Sequence, residues 1–167
     1  MFSIFNSTFL KNIDSVSVKD GELNRLARLL KSEIKEKFSS HLKLYILDSG
    51  SCRGCELELQ ALFNPLYDVS SVGIEVVYEI ERADILCITG VLSENLYSEV
   101  VHVYEKLKEP KRVLTIGDCP LFHAPFQDTY AIRTQGIRSF SPEYHIGGCP
   151  PDPRALLRGL LKYLKKI

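Results

Sequence analysis

The spacing of apolar positions changes near residue 42, and the change separates two kinds of segment. Upstream, Leu23, Leu26, Leu30, Ile34 and Phe38 recur at helical spacing, while Arg25, Lys31, Lys35 and Lys37 mark a wetter side. This predicts a helix capped by Asp20, with Glu22 favourably placed in its first turn. Its stripe either packs on the chain's own core or docks on a partner or membrane surface, because it continues the apolar character of residues 1–19. Those first residues read as an extended or loosely attached arm.

Downstream the pattern becomes short β-rich runs separated by helical ones. LKLYIL (42–47), IEVVY (74–78), DILCIT (84–89) and RVLTI (112–116) predict strands. The last three are dense in Val, Ile and Leu, as buried parallel strands require. One helix is expected from Cys55 to Asn64, ended by Pro65. Another runs from Glu94 to Lys108, with Leu96, Val100, Val103 and Leu107 as its stripe and Pro110 closing it. Strands alternating with helices predict an α/β fold, a flavodoxin-like doubly wound parallel sheet. The expected division is an arm and amphipathic helix over 1–41, followed by the α/β domain over 42–167.

Residues 117–150 break the alternation. Gly117, Pro120, Pro125, Gly136, Pro142, Gly147, Gly148 and Pro150 punctuate what reads as one long loop, and long ordered loops often carry function. A C-terminal helix follows, with Asp152 as cap, Pro153 in its first turn and Leu156, Leu160 and Leu164 on its apolar side.

Composition narrows the class without naming a chemistry. A chain of 167 residues with 45% hydrophobic positions can bury a core as one globular unit. The 21 basic residues balance the 21 acidic ones, so bulk attraction to nucleic acid is not expected. No stretch approaches the roughly 20 apolar residues that cross a bilayer. The N-terminus lacks a charged region and a cleavage pattern of a secretory signal. Five cysteines is an odd number for a disulfide framework, and a reducing, cytoplasmic setting fits them better.

The placement of the cysteines carries the chemistry. Cys52 and Cys55 follow the first predicted strand, Cys119 follows the fourth, and Cys149 ends the long loop. Ligands of open parallel sheets gather beyond the carboxyl ends of the strands, so these four can meet at one edge. Cys87 lies inside the strand 84–89 and reads as a small buried hydrophobe. A C-x-x-C pair alone fits a redox dithiol, half a zinc site or half a cluster site. A redox dithiol would need neither Cys119 nor Cys149. Four thiolates suit zinc and an iron–sulfur cluster equally well on ligand count.

The segment S-C-R-G-C-E-L-E-L resembles the cluster loop of small subunits of membrane-bound, energy-converting nickel–iron hydrogenases, which are similar to the matching 20 kDa subunit of respiratory complex I. The resemblance runs from about 42 to 162 through L-Y-D-V-S-S-V-G-I-E-V-V (66–77), R-A-D-I-L-C-I-T-G (82–90), I-G-D-C (116–119) and G-C-P-P-D-P (148–153). It implies that Cys52, Cys55, Cys119 and Cys149 hold one [4Fe–4S] cluster near the active site of a partner. The separated C-x-x-C pair is similar to the hydrogenase branch, since the complex I subunits carry adjacent cysteines. Glu58 matches an acidic family position, implying a place on a proton path or a partner contact; a solvated helix residue is the plainer reading. P-L-F-H-A-P-F (120–126) replaces a glycine-rich stretch of the family and brings His123 near a ligand in sequence.

The implied function is electron transfer between a ferredoxin-like subunit and a nickel–iron-type large subunit, together with integral membrane subunits and on the cytoplasmic side of the cell membrane. A quinone- or sulfur-reducing relative of complex I is the sister reading. A zinc-stabilised interaction domain and a free-standing flavodoxin-like enzyme are the rivals from other classes. The second lacks a G-x-G-x-x-G loop or a good Ser–His–Asp set.

Overall fold

The computed structural model describes residues 21–122, 129–133 and 136–167. The arm at 1–19, the cap Asp20 and loop residue His123 lie outside them.

Among the described residues, helix α1 (Gly21–Phe38) leads into strand β1 (Leu42–Asp48). Helices α2 (Gly54–Ala61) and α3 (Val69–Val72) connect it to β2 (Ile74–Val76). Strand β3 (Ile85–Thr89), helix α4 (Tyr97–Lys106) and strand β4 (Val113–Ile116) follow. A short helix α5 (Cys119–Phe122), strand β5 (Tyr144–Ile146) and helix α6 (Pro153–Leu164) complete the order. The five strands form one parallel sheet in the order β2-β1-β3-β4-β5, which is the flavodoxin-like doubly wound arrangement.

Alternation within the buried strands explains why both faces need helices. In β3, Ile85 and Cys87 join the core under α1, α2 and α6, while Leu86 and Ile88 join the core under α4. Cys87 is wholly buried among these side chains, as its place in the strand predicts. Leu30 and Ile34 of α1 are also inaccessible, and burying each side chain contributes about 1.5–3 kcal/mol. Helix α1 is therefore held by packing. The Arg158 Nη1–Glu22 Oε1 pair at 2.7 Å and the Arg154–Glu22 pair at 3.7 Å are half-exposed and add at most about 1 kcal/mol each.

Two elements differ from the expectation. The segment 117–150 is not one continuous loop: it contains α5, a 3-10 turn over Gly136–Phe140 and the edge strand β5. Helix α3, between Pro65 and β2, has no counterpart among the expected elements. Strand β5 is fixed from outside its own sequence. Its register pairs Thr115 with His145, and Ile146 sits so close to Gly159 that a Cβ there would lie 2.7 Å from Ile146 Cδ1. A glycine in the middle of α6 thus lets the helix lie against the strand. Asp152 does cap α6: its Oδ1 accepts from Ala155 N at 2.9 Å.

Candidate metal centre

The chain leaves β1 and β3 towards opposite faces of the sheet, which opens a crevice at their carboxyl ends. Small polar side chains build the turn after β1. Asp48 Oδ1 accepts from Gly50 N at 2.8 Å and Ser51 N at 2.6 Å, and the buried Ser49 hydroxyl donates to Thr89 O at 2.7 Å. This turn presents Cys52 to solvent and sets Cys55 into the first turn of α2, where it is buried. Beyond β4, Gly117 and Asp118 lead to the partly exposed Cys119. Beyond β5, Gly147 and Gly148 lead to the exposed Cys149.

All four thiols belong to loops at the same edge, and they act on one another. Burial pushes the Cys55 thiol up to about 12, and Glu56, Cys119, Cys52 and Cys149 push it in the same direction. Cys119 is also raised, first by burial and then by Cys149, Cys52 and Asp118. Cys87 reaches about 12 through burial alone. The four loop thiols therefore share an electrostatic neighbourhood that Cys87 does not enter.

The protein alone disfavours the Cys55 and Cys119 thiolates, whereas bound metal cations would reverse that balance. Among the described residues, no group of three or more His, Cys, Asp or Glu side chains closes on a point suited to a single metal ion. In a four-iron cluster each thiolate binds a different iron, so such a group does not require convergence on one point. The donor set, four free thiols of mutual electrostatic reach, fits a thiolate-held cluster chemically.

Glycine at 117 is required by both conformation and space. Its φ is +86°, and a Cβ would overlap the Cys55 sulfur. One tripeptide, Gly117-Asp118-Cys119, thus packs on the second cysteine while carrying the third.

Next to Cys55 lies a groove of about 890 Å³, lined in part by Tyr45, Arg53, Glu56, Leu57, Phe63 and Tyr78. Leu57 and Tyr78 are 64% and 89% exposed, a large apolar offering for a monomer. Glu56 is one of three acidic residues lining the groove, with Asp48 and Glu75. Its Oε1 meets the Thr89 hydroxyl, while its Oε2 is buried without a hydrogen-bond partner. Glu58 is half-buried on the same helix and does not line the groove. Sequence reasoning singled out Glu58 and passed over Glu56. The sequence carried no signal for it: the left-handed Arg53 turn that starts α2 at Gly54 and the approach of Thr89 are both set by the fold.

A parallel sheet in this strand order, with four cysteines gathered at its carboxyl edge, defines the chain as a flavodoxin-like protein with a candidate thiolate metal centre. The model of the NADH ubiquinone oxidoreductase 20 Kd subunit family matches residues 52–163, and the chain belongs to that family. Among its relatives is the probable membrane-bound hydrogenase subunit mbhJ of Pyrococcus furiosus, 34% identical over 74% of this chain and 74% of its own length. A subunit of the NADH-quinone oxidoreductase of Carboxydothermus hydrogenoformans is 37% identical, covering 68% of this chain and 69% of that protein. The solved structure of the membrane-bound sulfane sulfur reductase, an archaeal respiratory membrane complex, superimposes with a TM-score of 0.61 at 25% identity. That match covers 82% of this chain and 73% of the other.

Membership makes this chain a non-catalytic subunit of a larger hydrogenase- or complex I-like oxidoreductase with a role in electron transfer, and it points to an iron–sulfur cofactor. Among the described residues, no helix is long and apolar enough to cross a membrane.

Proposed function

We propose that Cys52, Cys55, Cys119 and Cys149 hold one [4Fe–4S] cluster that carries electrons between a ferredoxin-like subunit and the active site of a nickel–iron-type large subunit. The observation that carries this reading is the gathering of Cys52, Cys55, Cys119 and Cys149 just beyond the carboxyl ends of β1, β4 and β5 at one sheet edge, with Cys87 buried inside β3. Such a cluster supplies storage and release of one electron. The chain's own residues do the rest. Asp48, Ser49 and Ser51 hold the first cysteine turn, Gly117 leaves room for the Cys55 sulfur, and Leu59 and Leu62 bury the floor of α2. The exposed Leu57 and Tyr78 at the groove offer the face on which a large subunit would dock. Glu58, one helical turn after Cys55, is the position for a proton path or a partner contact. The complex would sit on the cytoplasmic side of the membrane, where this chain is peripheral and adjoins integral membrane subunits.

A second reading keeps the cluster and replaces the nickel site with a quinone- or sulfur-reducing one. It is favoured by the 25% identity to the sulfane sulfur reductase complex and by the NADH-quinone oxidoreductase relative. The C-x-x-C spacing favours the hydrogenase branch.

The test is anaerobic purification of the complex in mild detergent, with iron, zinc and nickel measured per chain. The proposal expects about four irons and broad visible absorption from the full chain. Alanine at Cys52, Cys55, Cys119 or Cys149 should abolish that signal, and Cys87→Ala should retain it. One zinc and no colour would favour the interaction-domain rival. A nickel-free complex that reduces quinone or polysulfide would select the sister reading.

A further inference from the structure

Asp118 lies between Gly117, which packs on Cys55, and Cys119, and it reaches the loop of the fourth cysteine twice. Its Oδ1 accepts from Gly148 N at 2.7 Å, and its own N–H donates to Gly148 O at 2.9 Å. Gly148 immediately precedes Cys149. Asp118 O also accepts from Phe122 N at 2.9 Å, closing the turn that begins with Cys119. One side chain and one peptide thus join the two cysteine loops.

A hydroxyl or apolar residue at 118 would leave the peptide N–H to Gly148 O bond in place. It would not reproduce the carboxylate acceptor for Gly148 N. That donor is part-buried, and an amide shielded from water without a partner is destabilising. The loop would relieve the loss by moving, and Cys149 would move with it. Asp118 also directly precedes Cys119, so its carboxylate places a negative charge beside the third thiol.

We infer that Asp118 is a positioning residue for the metal centre: its carboxylate locks the Cys149 loop to the Cys119 turn and stations a negative charge next to the third thiol. The inference rests on the assignment of Cys119 and Cys149 as cluster ligands. It adds a carboxylate that binds no metal but fixes two of the thiols that would.

The experiment compares the full chain with Asp118→Ala and Asp118→Asn, all purified anaerobically. Three readouts are taken: iron retained against a chelator, the midpoint potential, and the thermal transition of the iron-free chain. Asp118→Ala is expected to hold iron about 10-fold more weakly or worse, in the range seen when partners of metal ligands are removed. Asp118→Asn keeps an oxygen acceptor for Gly148 N and loses the charge, so iron retention is restored while the midpoint potential becomes more positive. Wild-type iron retention in Asp118→Ala would overturn the clamp, and so would equal iron loss in both variants. If Asp118→Ala does not fold, the asparagine variant decides: retained iron at a more positive potential supports the inference, and an unchanged potential overturns it. Failure of the cluster reading itself would be distinct, because the unaltered chain would then contain no iron.

Discussion

The Tyr163 hydroxyl donates to Glu143 Oε2 at 2.5 Å, tying the last turn of α6 to the residue that leads into β5. Tyr163 is wholly inaccessible, and Lys166 Nζ reaches Glu143 O at 3.1 Å from the same helix end. A polar contact therefore closes the apolar seam in which Ile146 lies against Gly159.

Tyr163→Phe should destabilise the iron-free chain by about 1–3 kcal/mol, because Glu143 loses its donor. Burial, followed by Glu143, holds the Tyr163 phenol far above the usual tyrosine range. A raised folded value means that this contribution is complete below the unfolded tyrosine value of about 10 and falls as pH rises above it. Urea unfolding at stepped alkaline pH should show wild type losing stability more steeply than Tyr163→Phe. Parallel slopes would contradict the assignment.

Thr89 is fully buried at the end of β3, and its hydroxyl meets Glu56 Oε1 and Leu47 O. Thr89→Val conserves shape but leaves both Glu56 oxygens without a hydroxyl partner. A loss of about 1–3 kcal/mol is expected in chemical denaturation. Thr89→Ser should recover most of it, and equal losses in both variants would assign the effect to packing instead.

Gly117→Ala combines a left-handed backbone with steric overlap at the Cys55 sulfur. The conformation alone costs about 1–2 kcal/mol. Both stability and iron content of the full chain should fall. Gly21→Ala is the control, since a Cβ there meets nothing within 4 Å. Full iron content in Gly117→Ala would show that the turn adjusts without moving Cys55.

Glu58→Gln should keep the cluster and slow turnover of the assembled complex, following its acidic family position one helical turn beyond Cys55. Hydrogen or acceptor turnover is measured alongside subunit stoichiometry. Normal turnover with normal assembly would remove Glu58 from the functional residues, whereas lost assembly would make it a structural one.

Strands β3 and β4 were legible because their runs are apolar enough to demand burial on both faces, and β1 because of its β-rich run between two helical patterns. Strand β5 was not. Tyr144-His145-Ile146 offers one aliphatic residue, and what makes it a strand is pairing with β4 and the gap left by Gly159, neither of which is local. Helix α3 is four residues long and is entered through Asp68 in the left-handed region, so no periodicity could announce it. The placement of Cys52, Cys55 and Cys119 was readable because they follow the legible strands β1 and β4, whereas Cys149 was placed only as the end of the long loop before α6. Glu56 was not readable, because its partner Thr89 lies 33 residues away and only the sheet brings it near.

The position of β5 also constrains how the protein is made. Cys149 lies between this strand and α6, and the strand's seat against Gly159 exists only when the helix is present. Three of the four thiols leave the ribosome well before the segment that delivers the last. If the four thiols hold one group as proposed, its insertion would follow synthesis of α6, which makes loading of the metal centre a late event.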